Sequence, residues 1–189
     1  MDNKKNLEEN EQSYGKRDWL LFLIMLFAFG GVFGFIYEEL FYRIDLGYWV
    51  KRGTTFGPWI PLYAFGGLGI YLMTFKVRKH PLAVFALSAV VTGIIEYGVG
   101  YMLFYFFDGL RLWDYNVEIW NWGNIDGFIC IRSVLFFALS GLFLMYLVVP
   151  VMQKIYKKIG MKKFGIIAIS CSSIAVLDII ASFIYRAIG

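Results

Sequence analysis

One histidine, two cysteines, four prolines and a charged fraction of 17% leave this 189-residue chain little from which to build a soluble metalloenzyme or a disulfide-stapled domain. With a single imidazole, a zinc or haem centre has almost no ligands to draw on, and the two cysteines offer no metal-binding spacing. Cys130 and Cys171 fall in separate apolar runs, one near its outer end and one in its inner third, which does not favour a disulfide. No G-x-x-x-x-G-K-[ST] motif is present, so this polypeptide has no phosphate loop for ATP. Ser-His and Cys-His constellations for nucleophilic catalysis are missing too. No cofactor is expected.

Apolar surface is what the chain has in excess. At 59% hydrophobic and 20% aromatic residues it is far too apolar for one soluble core, and it must use lipid as its solvent. The apolar spans are 19–41, 58–75, 81–107, 128–149 and 164–185, each near the roughly 20 residues needed to cross a hydrocarbon layer about 30 Å thick. The sequence therefore predicts an all-α polytopic transmembrane bundle of about five helices, with residues 19–189 as a single domain behind a polar cytoplasmic tail at 1–18. The third span is long enough to require tilt or an early end near Tyr105. The first is too long for a signal-peptide core and lacks a small-x-small cleavage site, so it reads as a retained helix.

Orientation follows from the basic residues. Lys4, Lys5, Lys16 and Arg17, then Lys76, Arg78 and Lys79, then Lys154, Lys157, Lys158, Lys162 and Lys163 fall on one side; Arg43, Lys51, Arg52, Arg111 and Arg186 fall on the other. The positive-inside rule puts the N-terminus in the cytoplasm and the C-terminus outside the cell membrane. The net charge of +4 thus reads as topology, and it gives no support for a nucleic-acid partner. The 151–163 loop, with Ile155, Tyr156 and Ile159 among lysines, reads as a basic strip on anionic lipid or as a docking helix for a partner.

Four ionisable side chains interrupt the spans: Glu38, Glu96, Arg132 and Asp178. A charge facing lipid costs roughly 2.5 to 3.5 kcal/mol at a helix centre, so these groups are expected to face protein or a watery cavity. Helical spacing agrees. Gly30, Gly34 and Glu38 share one face, and Gly-xxx-Gly there permits a close neighbour. Glu39, about 100° further round, is expected to reach Arg43 or the interface. Ser88, Thr92, Glu96 and Gly100 make a second stripe, and Cys171, Ala175, Asp178, Ser182 and Tyr185 a third. Counted at 1.5 Å per residue, Glu96 and Asp178 share a depth of roughly 21 to 23 Å, with Arg132 close enough to serve as counter-ion. Either a structural ion-pair cluster or an intramembrane working site is consistent with this.

The unusual loops collect on the external face. Arg52-Gly53 and Gly57-Pro58 bracket the expected start of the second helix. Between the third and fourth helices run Trp113-Asp114-Tyr115-Asn116 and then Asn124-x-x-Gly127, rich in interfacial aromatics and turn residues. This segment is either a belt at headgroup level or a re-entrant cap over a cavity.

Taken in order, Gly34-x-x-x-Glu38, Arg52-Gly53, Gly57-Pro58, Pro61-x-Tyr63-x-Phe65-Gly66, Glu96-Tyr97, Trp113-Asp114-Tyr115 and Asn124-x-x-Gly127-x-Ile129-Cys130 resemble the bacterial membrane family named putative ABC-transporter type IV permease. The resemblance runs from the first helix through the fourth. It departs at Phe104, where the family usually has a second acid, and at Asn116 and Phe128, where it often has a small and a basic residue. What it implies is a small transport subunit with a polar intramembrane site opening outward, partnered by membrane lipids and a separate ATPase subunit. A homo-oligomer stays open, as do a membrane-embedded lipid-processing enzyme and a non-transporting accessory or immunity-type protein.

Overall fold

In a computed structural model that describes residues 15–188, the first helix begins at Lys16, so Lys16, Arg17 and Asp18 form its first turn. Residues 1–14 of the expected tail lie outside the described residues.

Helix α1 spans Lys16–Leu46. Asp18 in its first turn and Arg43 in its last complement the helix dipole. It ends where Gly47 takes a left-handed conformation (φ 81°) and donates its amide to the Arg43 carbonyl at 3.2 Å. Its 31 residues give a length of about 46 Å, so both ends outrun a hydrocarbon layer. Helix α2, Pro61–Thr74, continues as a 3-10 turn over Phe75–Val77. Its N-terminal proline is Pro61, not Pro58 as expected, because the preceding backbone is held extended: the Ile60 amide donates to the Gly31 carbonyl of α1 at 3.1 Å. Helix α3, Pro81–Phe106, also opens on proline and ends one residue beyond Tyr105.

Helix α4, Ile131–Phe143, runs through a π-helical turn at Leu144–Val148 into α5, Val149–Ile188. The expected 151–163 loop is thus helical, apart from one residue. Gly160 has φ 78° and ψ 160°, a conformation essentially confined to glycine, and it folds the chain back on itself. The Tyr156 and Phe164 ring centroids lie 5.4 Å apart, where eight residues of straight helix would separate them by about 12 Å.

Small residues set the contacts. A Cβ on Gly30 would come within 2.8 Å of the Tyr63 carbonyl, and one on Gly34 would fall on the Tyr63 ring, so the Gly-xxx-Gly face of α1 is filled by α2. Gly141 of α4 leaves room in the same way for the Ser88 side chain of α3. The post-Gly160 limb lies on α1: Ser172 donates to the Ile24 carbonyl at 2.8 Å, and Phe164 stacks on Phe22. Phe22, Leu26, Tyr71, Val84, Met152 and Phe164 join in one apolar core. Outside it, Ile94, Leu139, Ile174 and Leu177 are exposed, as a lipid-facing surface requires. Among the described residues, three helical stretches are long and apolar enough to cross a membrane: Lys16–Leu46, Pro81–Phe106 and Ile131–Arg186.

Candidate functional site

The buried stripes of α1, α3 and α4 meet beneath the segment between α3 and α4, and enclose a cavity of about 30 Å³. That is room for water and for no larger solute as it stands. Glu38, Glu96 and Arg132 all line it, together with Glu118 from the connecting segment and the rings of Tyr37, Tyr42, Tyr63 and Tyr115.

Each charged group has a different partner. Glu38 Oε2 accepts from Arg52 Nε at 3.2 Å, and the Arg52 guanidinium lies 3.6 Å over the Tyr42 ring. Glu39, expected near Arg43, instead accepts the Arg52 backbone amide at 2.7 Å, while Arg43 turns to the Gly47 carbonyl. The two adjacent acids thus hold one arginine by its side chain and its main chain. Arg132 Nη2 donates to Glu118 Oε2 at 2.6 Å, with side chains only 12% and 5% exposed. Tyr42 donates to the other Glu118 oxygen. Arg132 Nε is buried without a hydrogen-bond partner among the described residues.

Glu96 is 4% exposed and is held by hydroxyls alone: Tyr115 donates to one oxygen and Ser133 to the other, the latter at 2.8 Å. Among the described residues it joins no ion pair. Burial, then the Glu96 carboxylate, push the Tyr115 phenol well above its ordinary range, so it stays a proton donor throughout the physiological range.

The expected pairing of Arg132 with Glu96 and Asp178 is therefore corrected. Arg132 takes Glu118, and Asp178 lies outside the cavity. The Asp178 carboxylate accepts the amides of Phe56 at 3.1 Å and Gly57 at 2.7 Å, with Ser182 bonded to the same loop. A depth count gives height along a helix but not the side on which that helix packs. Helix α3 packs against α2 and α4, whereas the final limb lies on α1.

The motif residues of the segment between α3 and α4 build the roof. Trp113 Nε1 donates to the Phe128 carbonyl at 3.0 Å, and the Tyr115 amide donates to the Gly127 carbonyl at 3.1 Å. Asp114 accepts the Asn116 amide at 3.0 Å, and Asn124 accepts that of Gly127 at 2.9 Å. Gly127, at φ 76°, has Arg111, Asp114 and Asn116 packed where a Cβ would stand. Arg111 clamps the turn by donating twice to the Asp126 carbonyl, at 3.0 and 3.1 Å. Gly53, also left-handed at φ 81°, lets the chain turn after Arg52. Pro58 is exposed and makes no part of the cavity.

Sequence reasoning missed Glu118, Tyr42 and Ser133. A signal for Glu118 exists: it is the one charge in Val117-Glu118-Ile119-Trp120, an apolar patch inside a polar loop. Asp45 at the end of α1 fixes that patch by accepting the Ile119 amide at 3.0 Å.

A protein-family model described as "Putative ABC-transporter type IV" matches residues 25–183, a stretch that contains all of these groups. No curated protein and no solved structure matches the chain.

Proposed function

The chain belongs to the family described as "Putative ABC-transporter type IV", and from that premise we propose that it is a small permease-like transport subunit whose polar intramembrane site is the cavity of Glu38, Glu96, Glu118 and Arg132. In this reading α1, α2, α3, the helix through α4 to Ile159, and the limb after Gly160 make five crossings of the cell membrane. The N-terminus is cytoplasmic and the C-terminus external. With its 3-10 turn, α2 has a length of about 27 Å, close to the hydrocarbon thickness. The 107–130 segment is then the outer gate.

The observation that carries the reading is Glu96. Two arginines face three carboxylates here, and the acid left over is the most enclosed and rests on hydroxyls. A buried carboxylate that rests on hydroxyls and joins no ion pair leaves a place for a proton or a cation in transit, and exchange of such a partner is the elementary step of a coupled pathway.

A subunit with no phosphate loop needs one from elsewhere. Tagged protein purified from native membranes in mild detergent is expected to bring down an ATPase polypeptide carrying G-x-x-x-x-G-K-[ST]. Glu96→Gln is expected to leave that assembly intact while lowering its ATP hydrolysis several-fold. Recovery of the chain alone from cells expressing the ATPase overturns the subunit reading, and full hydrolysis in the variant overturns the role of Glu96.

A further inference from the structure

A second, larger space lies at the other end of α1. It is a wedge of about 380 Å³ between the first turns of α1 and the limb that follows Gly160. Arg17 is 21 residues before Glu38, which puts the wedge about 32 Å from the polar cavity along the helix. Its lining repeats one pattern on two helices. Arg17 is followed one turn later by Leu21, and Lys162 by Ile166 and Ile169, so each helix presents a cation at its end and apolar surface further in. Gly165 lets the helices meet at the base, since a Cβ there would approach Leu21 Cδ1 to 2.9 Å. Arg17 and Lys162 are exposed, and among the described residues neither has an ion-pair partner and no carboxylate lines the wedge.

We infer that this wedge is a binding site for an anionic phospholipid, with its phosphate between Arg17 and Lys162 and an acyl chain along Ile166 and Ile169. The charges alone would serve any phosphate. The walls select the lipid: Ile166 and Ile169 are 58% and 51% exposed, and a site for a soluble anion gains nothing from bare isoleucine. The distance also fits, because Lys162 to Ile169 covers about 10 Å, the step from headgroup level into the acyl region. The site differs from the diffuse attraction of a basic surface, to which exposed Lys154 and Lys158 would contribute equally.

Native mass spectrometry of the full chain in neutral detergent, titrated with phosphatidylglycerol and with phosphatidylcholine of the same acyl chains, tests this. Wild type is expected to retain phosphatidylglycerol several-fold better than phosphatidylcholine. Arg17→Gln with Lys162→Gln should abolish that preference, and Lys154→Gln with Lys158→Gln should leave it intact. Ile169→Trp, which narrows the wedge, should weaken phosphatidylglycerol retention without a change in folding, read by thermal unfolding. Undiminished retention in the Arg17 and Lys162 pair, or equal losses in the two pairs, overturns the site. Indifference to Ile169→Trp overturns the seat of the acyl chain.

Discussion

Arg132 and Glu118 are joined in a setting too dry to forgive the loss of either one. The pair sits at 2.6 Å, with the guanidinium 4.1 Å over Phe41 and a second Glu118 oxygen held by Tyr42. Arg132→Leu should therefore destabilise the protein by about 3 to 5 kcal/mol, because it strands a buried carboxylate. Adding Glu118→Gln should recover part of the loss, whereas adding Glu96→Gln should be close to additive, since Glu96 keeps its own hydroxyl partners. Unfolding midpoints of the singles and doubles in one detergent decide it: strong coupling to Glu96 and none to Glu118 would reverse the assignment. At this scale the sequence was legible where helical periodicity speaks. Glu38, Glu96 and Arg132 line one cavity; stripes of Gly, Ser and Thr mark the faces of Glu38 and Glu96 that neighbours approach, while Arg132 was placed by its depth alone. Glu118 was not legible by periodicity, because a loop residue has none. Asp178 misled because an acid in an apolar helix announces burial or a partner, not which partner.

The elements are governed by two local devices, one at each end of the bundle. At the end away from the lysines, Asp178 ties the 47–60 loop to the final limb through the amides of Phe56 and Gly57, and the Phe56 ring rests on Tyr185 with centroids 5.6 Å apart. Asp178→Ala should free this loop. Faster amide hydrogen exchange over residues 53–57 is expected, with exchange near Tyr115 unchanged; unaltered exchange at 53–57 would show that the latch is redundant. On the basic side, Gly160 makes the reversal that turns one helical run into two limbs. Gly160→Ala should cost about 1 to 3 kcal/mol, since φ 78° with ψ 160° is closed to a residue with a Cβ. Gly98→Ala should act in the opposite sense by about 0.5 to 1 kcal/mol, because Gly98 is helical with nothing within 4 Å of a Cβ. Thermal unfolding of the two variants side by side checks the signs. The apolar spans foretold where helices run, yet the lysine-rich stretch around Gly160 read as a loop, since charge density reports exposure to water and a helix can be exposed as readily as a loop.

Over the whole molecule, the two ends differ in kind. One end carries Lys16, Arg17, Lys76, Arg78, Lys79 and the lysines from 154 to 163 around an apolar core; the other carries the roofed polar cavity and the paired acids and arginines of the motif loops. This polarity along the bundle axis is what the positive-inside rule acts on, and in the proposed topology it turns the cavity's roof away from the cytoplasm. A reporter active only outside the cytoplasm, fused after Gly189, should be active, and the same reporter inserted at Lys158 should be silent. A thiol-reactive, membrane-impermeant label should reach a cysteine placed at exposed Trp122 in intact cells and fail to reach one at exposed Lys79. The two experiments must agree, because the reversal at Gly160 puts Lys158 and Gly189 on opposite sides only if the last limb crosses. Should Gly189 prove cytoplasmic while Trp122 remains reachable from outside, the final limb does not span, and a four-crossing bundle with a surface-lying last helix replaces the five-crossing one. Should both invert, the cavity opens inward, and the 107–130 segment becomes the face presented to a cytoplasmic ATPase.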